Sequence, residues 1–326
     1  MDTRSLLVTG AAGFVGARFV ERCNALKIPV ISVDSPPYFT ERAEHKGVGF
    51  GDIVDREALI ARLEKAPPPV RGIVHLGACT DTTEYDVEYL NRVNVEYSKS
   101  LWRFANKQRV PFVYASSAAT YGEAEEGFVD DESAMKDLVP LNPYGDSKLE
   151  FDLWALTEEK AGRTPPSWSG FKFFNVYGFG ERHKAKMASV IVAAFDQILD
   201  KGRVRLFKSH RDGIADGHQS RDFVYVKDVV DVLFFALEKP LARGIYNLGT
   251  GEARTFEALA LATFSALKKA PEIVYFDTPL ELRERYQYFT QADMTKLRRA
   301  GYTKPFTSLE QGVHDYVQLL LAARAR

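Results

Sequence analysis

The 326-residue chain predicts an α/β protein: a doubly wound parallel sheet with a smaller, discontinuous C-terminal α/β domain. Three observations carry that expectation. Short apolar runs alternate with helical patterns through the first half, as in parallel sheets covered on both faces. A glycine-rich turn follows the first run and opens a helix. Beyond Val176 the alternation loosens, and strand-helix-strand returns only around residues 223–248.

In chain order, Leu6–Thr9, Val30–Val33, Ile73–Leu76 and Phe112–Ala115 read as buried strands. Phe14–Leu26, Tyr85–Asn106 and Ser147–Lys160 read as the intervening helices, and Ala66-Pro67-Pro68-Pro69 ends one helix and feeds the next strand. After an extended run at Phe171–Val176, Met187–Leu199 reads as helix and Arg203–Phe207 as strand. The polar stretch Lys208–Gln219, with Gly213 and Gly217, reads as a mobile loop. Phe223–Val226, Val229–Leu237 and Ile245–Leu248 are expected to rejoin the first sheet, and helices follow near Thr255–Lys268 and Ser308–Leu320. This divides the chain into a dinucleotide-binding domain, 1–176 plus about 221–248, and a substrate domain, 177–220 plus about 249–326, with ligands in the crevice between them.

Acidic and basic residues nearly cancel, for a formal net charge of −1, so no global field points to nucleic acid or an anionic membrane. Two cysteines, Cys23 and Cys79, are too few for a disulfide scaffold and suit a reducing cytoplasm. No apolar run is long enough to span a bilayer. Met1-Asp2-Thr3-Arg4-Ser5 leads into a strand without the layout of a signal peptide, so a cytoplasmic protein is expected. The six histidines lack metal-ligand spacing, and no metal is expected.

Gly10-Ala11-Ala12-Gly13-Phe14-Val15-Gly16 gives the spacing G-x-x-G-x-x-G. Gly10 permits the tight turn, Gly13 lets backbone approach a pyrophosphate, and Gly16 allows close helix packing at a helix N-terminus that favours negative charge. Asp34 ends the second strand, where an acid bonds ribose hydroxyls and disfavours a 2′-phosphate. Alone it argues for NAD, whereas Arg42, Arg56 or a rearranged Ser35 loop would admit NADP. Asp52 and Ile53, after the third strand, are placed near adenine. Leu76, Gly77 and Ala78 end the fourth strand, where small residues let backbone approach a cofactor.

Tyr144 and Lys148 stand four apart in Tyr-Gly-Asp-Ser-Lys, so on a helix they share a face. A neighbouring ammonium favours phenolate, which would lower the Tyr144 pKa and make it a proton acceptor at neutral pH. Ser117 supplies a hydroxyl to orient a carbonyl or alcohol.

Together with Asn94, Phe174-Asn175-Val176-Tyr177-Gly178, Arg221-Asp222-Phe223-Val224-Tyr225-Val226 and Asn247-Leu248-Gly249-Thr250-Gly251, these residues resemble the extended short-chain dehydrogenase/reductase family of nucleotide-sugar enzymes. Segments 77–86, 115–122, 183–190 and 285–293 narrow the resemblance to its ADP-heptose epimerases, a branch supplying heptose for the lipopolysaccharide core. The resemblance runs nearly end to end. It implies that Ser117, Tyr144 and Lys148 form the catalytic group, with Lys184 as a second acid/base opposite. It places Asn94 and Val176 with the cofactor residues Gly10, Gly13, Phe14, Val15, Gly16, Asp34, Ser35, Asp52, Ile53, Leu76, Gly77 and Ala78. Thr80, Asn175, Lys186, Phe207, Arg221 and Tyr286 are implied substrate contacts, Arg221 to phosphate. The family's usual cofactor is NADP, which opposes the Asp34 argument and is preferred to NAD here. A homo-oligomer is expected, with the long helices packing on a partner. Lys186 and Ala193 depart from the family's serine and histidine, and Lys208–Gln219 is longer than its pattern.

A 4,6-dehydratase needs an acid near the leaving hydroxyl, where this chain has Ala118-Ala119. A UDP-sugar 4-epimerase is the main alternative. A non-catalytic cofactor-binding regulator would have no need of an activated phenol at Tyr144.

Overall fold

The structure, a computed structural model, describes residues 3–124, 127–239, 241–283 and 287–325. Its strands are β1 Ser5–Thr9, β2 Val30–Asp34, β3 Asp52–Asp55, β4 Val70–His75, β5 Phe112–Ser117, β6 Trp168–Phe173, β7 Asn175–Tyr177, β8 Val204–Phe207, β9 Ser220–Tyr225, β10 Gly244–Leu248, β11 Ala253–Thr255 and β12 Ile273–Phe276. Seven form one sheet in the order β10-β6-β5-β4-β1-β2-β3. β1 pairs in parallel with both β2 and β4, so the winding reverses there, where doubly wound sheets open a crevice for ligands. The β2–β3, β4–β5 and β5–β6 pairings are also parallel.

Helices on the faces explain why β1 and β2 are apolar almost without alternation. One buried cluster joins Leu7, Ile31, Ile73 and Phe112 of the strands to Leu101 and Trp102 of helix Tyr97–Gln108 and Phe151 of helix Pro143–Lys160. Trp102 meets Phe112, Trp154 and Trp168 edge-on, at 5.7, 5.9 and 5.0 Å between ring centroids.

The chain separates into two compact units. One holds the chain up to Phe173 with Val229–Asn247 and Thr295–Tyr302; the other holds Phe174–Asp228, Leu248–Met294 and Thr303 onward. The second contains a three-stranded sheet, β11-β9-β7, and the parallel pair β12-β8. Its smaller core packs Ala194 and Ile198 of helix Val190–Lys201 on Val204, Leu206, Ala260 and Phe264.

Several expectations change. Of the strand-helix-strand segment expected to rejoin the first sheet, the helix and β10 return to the first unit, while β9 pairs with β7 and β11. The reason lies in its polar pair. The Asp222 carboxylate accepts hydrogen bonds from Thr250 N (2.7 Å), Thr250 Oγ1 (2.7 Å), Gly251 N (2.9 Å) and Ala292 N (3.0 Å), a partner set that the apolar central sheet does not offer. Burial pushes its carboxyl pKa up while these bonds pull it down. Asp222→Ala should therefore destabilise the second unit by about 1–3 kcal/mol through orphaned donors, read as a lower urea midpoint at unchanged m-value.

Phe171–Val176 is not one strand, because β6 ends at Phe173 and β7 joins the other sheet. The helix expected from Tyr85 starts at Val87 and passes through a π-helical turn at Asn91–Glu96. Acidic side chains before Ala134 cover the sheet edge. Glu132 Oε1 accepts from Ile245 N at 2.9 Å and Asp130 Oδ2 from Asn247 N at 2.8 Å, satisfying alternate donors of edge strand β10. Lys208–Gln219, expected to be mobile, is tied by Ser209 N to Asp216 Oδ1 (2.8 Å), His210 N to Tyr288 OH (2.8 Å) and Glu257 N to Gly217 O (3.0 Å). Among the described residues no helix is long and apolar enough to cross a membrane.

Candidate active site

The glycine turn is shaped by close backbone approach. Gly10 sits at φ +65°, and a Cβ there would lie 2.6 Å from Gly77 N in the turn after β4. A Cβ on Gly16 would run into the Gly10 carbonyl, so the helix starting with Phe14 and Val15 can lie against the turn only because residue 16 is glycine. Gly13 is the N-cap, and Leu76 N donates to Thr9 O at 3.1 Å, drawing the ends of β1 and β4 together. Ala78 follows, half-buried.

At the end of β2, Asp34 turns one oxygen to Ala12 N (3.1 Å) and the other to Ser35 N (2.9 Å). Burial pushes its pKa up, against those bonds and the Arg42 and Arg56 charges. Arg42 donates to Ala12 O and lies 4.2 Å over the Tyr38 ring. Asp52 and Ile53 start β3 rather than follow it. Arg62 pairs with Asp52 at 2.7 Å, and Ile53 is 46% exposed, so it is not core.

Asn142 caps helix Pro143–Lys160 by accepting from Gly145 N at 2.9 Å, and Pro143 occupies the first position with its preset φ. The helix begins before the expected Ser147, so Tyr144 and Lys148 both lie on it, one turn apart. Lys148 Nζ donates to Ala115 O of β5 at 3.0 Å, and burial pushes its pKa down to about 8 against the Asp152 charge. Ser117 ends β5, and its Oγ accepts from Ala119 N at 3.1 Å.

Tyr144 corrects the simple expectation of a lowered pKa. Burial is the largest influence and pushes the phenol up, while its hydrogen bond with Ser117 pulls it down. One Lys148 N–H goes to the Ala115 carbonyl, and the buried phenol is protonated at neutral pH. Tyr144 and Lys148 are buried one turn apart on this helix, and half-buried Ser117 ends the neighbouring strand β5.

Asn94 lies in the π-helical turn, a feature frequent at functional sites. It is a clamp: Oδ1 accepts from Cys79 N at 2.8 Å, and Nδ2 donates to Cys79 O and Ser147 Oγ, each at 3.0 Å. Ser147 Oγ donates to Tyr144 O at 2.7 Å. Missed from sequence was His75, buried in β4, bonded to Thr9 Oγ1 at 2.6 Å and Ser98 Oγ at 2.7 Å. Burial holds it neutral, with a pKa pushed down to about 3. Its one signal is a titratable residue in the apolar run Ile73–Leu76.

In the second unit, Lys184 is half-buried in the turn Arg182–Met187. Burial lowers its pKa, and the Glu181 carboxylate opposes that. Glu181 is fully buried and accepts from Ser189 N (2.7 Å), Ser189 Oγ (2.6 Å) and Gly178 N (3.3 Å). Ala185 between Lys184 and Lys186 is held at φ +49°, a strained conformation costing of order 1–3 kcal/mol and concentrated at functional turns. Arg221 does not pair with Asp222; it donates to Ser220 O at 2.9 Å and to Gln287 O. Phe207 meets Phe276 at 4.9 Å, and Asn175 Oδ1 accepts from Thr290 Oγ1 at 3.5 Å. Thr80 and Lys186 are exposed and Val176 half-buried. Tyr286 lies outside the described residues.

The pattern of the NAD dependent epimerase/dehydratase family matches residues 6–249. The chain belongs to this family. An ADP-L-glycero-D-manno-heptose-6-epimerase of Fusobacterium nucleatum is 43% identical over 328 residues, covering 97% of this chain and 98% of that protein. The crystal structure of the Helicobacter pylori ADP-L-glycero-D-manno-heptose-6-epimerase superposes with a TM-score of 0.81 at 27% identity, covering 99% of this chain and 97% of that one. The Thermus thermophilus UDP-glucose 4-epimerase, solved with NAD, gives a TM-score of 0.72 at 26% identity over 96% of this chain and 98% of that one. As a member of the NAD dependent epimerase/dehydratase family, the chain is a nicotinamide-dependent epimerase of nucleotide sugars, and its residues fit that cofactor. The turn at Gly10, Gly13 and Gly77 is a cradle that Cβ atoms would fill, at a helix N-terminus beside Asp34.

Proposed function

We propose that the protein inverts one carbinol carbon of an ADP-linked heptose, as an ADP-L-glycero-D-manno-heptose 6-epimerase. The observation that carries this reading is Tyr144 and Lys148 buried one turn apart on a helix beside the end of β5, where Ser117 stands, in a chain 43% identical to an enzyme of that name. A nicotinamide dinucleotide held at the Gly10–Gly13 turn would supply reversible hydride chemistry, so that the sugar could pass through a transient carbonyl with no net redox change. Tyr144 exchanges the carbinol proton, and its own proton must leave first. The Ser117 bond stabilises the resulting anion. Lys148 holds the end of β5 through Ala115 O and adds positive charge. Lys184, in its strained turn, serves as the acid/base for the inverted face, with burial easing release of its proton. Lys184→Met should lower kcat roughly 10²–10⁴-fold in an NMR assay of the epimerised product.

The pH dependence follows from Lys148. Its ammonium exists below about pH 8 and is lost above, so turnover should fall as pH rises through that value. A flat profile to pH 10 would contradict its role.

NADP is the proposed cofactor. Both Asp34 oxygens are engaged by backbone N–H groups, and Arg42 stands beside them to meet an added phosphate. Mass spectrometry of a denatured extract should find NADP; NAD would contradict this. A homo-oligomer is proposed through helices Tyr97–Gln108 and Pro143–Lys160, where Lys99 and Arg103 flank the half-buried Trp154 ring at 5.8 and 5.5 Å, and sedimentation should give more than one chain mass. The protein is proposed to act in the cytoplasm.

Incubation with ADP-heptose and with UDP-hexoses, followed by NMR, tests the substrate. Inversion of the ADP-heptose alone is expected. Turnover of UDP-glucose instead would make the protein a UDP-sugar 4-epimerase.

A further inference from the structure

Behind Lys148 lies a buried network that the proposed chemistry does not use. Tyr144, Lys148 and Asp152 recur every four residues along one stripe of helix Pro143–Lys160. Asp152 is fully buried, as is its partner Lys172 on β6, with Nζ 2.8 Å from Asp152 Oδ2. The same oxygen accepts from Ser116 Oγ at 2.7 Å, and Oδ1 accepts from Tyr114 OH at 2.8 Å. Tyr114 and Ser116 alternate along β5 and so point to one face. Gly170 of β6 leaves room for the phenol, since a Cβ there would strike the Tyr114 ring. Lys172 Nζ also donates to Thr120 Oγ1 at 2.6 Å, and Thr120 Oγ1 donates to Ser117 O at 2.9 Å. Ala115 O meanwhile takes Lys148 Nζ. Every residue from Tyr114 to Ser117 is thereby tied to the Tyr144 helix or to Lys172.

Burying two charges is costly, and well-packed apolar residues commonly replace such pairs without loss of stability. Stability alone therefore gives no reason for an ion pair here. We propose that Asp152, held by Lys172, is a positioning residue for the Ser117–Tyr144–Lys148 group: it locks the end of β5 to the helix and supplies the negative charge that Lys148 faces. This role rests on the reaction proposed above. The titratable or charged groups around Lys148 are Tyr144 and Asp152 on its own helix, His75 of β4 and Cys79 after it, with Tyr114 of β5 and Lys172 of β6 behind Asp152. Of these, Asp152 is the main support for the ammonium against burial.

The test follows Lys148 itself. Protein labelled with 13C-lysine is titrated by NMR, the Lys148 resonance being assigned by its loss in Lys148→Arg, and kcat and KM are measured in parallel. The wild-type midpoint is expected near 8. Asp152→Asn should lower it by about one pH unit and Lys172→Met should raise it by about one, because removing the cation leaves the carboxylate uncompensated. Asp152→Asn should also lose roughly 10- to 100-fold in kcat with KM nearly unchanged, and Asp152→Glu should recover most of it. A merely structural pair would not produce midpoint shifts of opposite sign. Shifts of the same sign, or none, in folded variants overturn the proposal. Should a single variant fail to fold, the double variant Asp152→Leu/Lys172→Met decides: a lowered midpoint and kcat support the role, and wild-type values for both overturn it. Wild-type protein inactive on every nucleotide sugar would remove the proposed reaction, while the titration would still judge the positioning role.

Discussion

Tyr144→Phe is expected to lower the epimerisation kcat roughly 10²–10⁴-fold, the range for losing a positioned acid/base. The change removes one oxygen from a buried ring, so packing is nearly preserved and the melting temperature should move little. The Ser117 Oγ still accepts from Ala119 N. Ser147 bonds the Tyr144 carbonyl rather than the phenol, so the link to Asn94 remains. Cofactor retention should therefore match the wild type, separating chemistry from binding. Wild-type turnover in a folded Tyr144→Phe protein would remove Tyr144 from the reaction.

Gly10→Val should have the other large effect, acting on the cofactor turn. The residue stands at φ +65°, and its Cβ would meet Gly77 N, Leu76 C and Gly77 Cα at 2.6–2.8 Å. Those atoms are backbone held by the β1–β4 pairing and cannot yield like a flexible side chain. The left-handed conformation alone costs of order 1–3 kcal/mol for a residue with a side chain, and a β-branched one suffers most. The turn must open, moving the N-terminus of helix Phe14–Ala25. Dinucleotide binding by isothermal titration should be lost, with a lower melting temperature. Gly13→Ala should be milder, because the nearest atom to its Cβ is Gly10 O, at 3.0 Å.

The first half of the fold was legible because each local signal agreed with its neighbours. The glycine spacing, the apolar strands and the Tyr144–Lys148 interval all belong to segments whose partners lie nearby in the winding. The errors fall where partners are distant. β9 looks like a sheet strand by composition, and only the four bonds gathered by Asp222 show why it pairs elsewhere. The acidic stretch before Ala134 looks solvated until Asp130 and Glu132 meet the N–H groups of β10. In the site, helical spacing put Tyr144 and Lys148 on one face but did not reveal that burial raises the phenol's pKa. His75, Asp152 and Lys172 are polar residues in apolar runs, and their pairing emerges only from packing.

The hydride path is tested most directly by isotope. ADP-heptose carrying deuterium on the carbon to be inverted is converted in ordinary water, and the product is read by NMR and mass spectrometry. Return of the same hydride to the carbon it left predicts an inverted product that keeps its deuterium on that carbon. Loss of the label to solvent during inversion would contradict it.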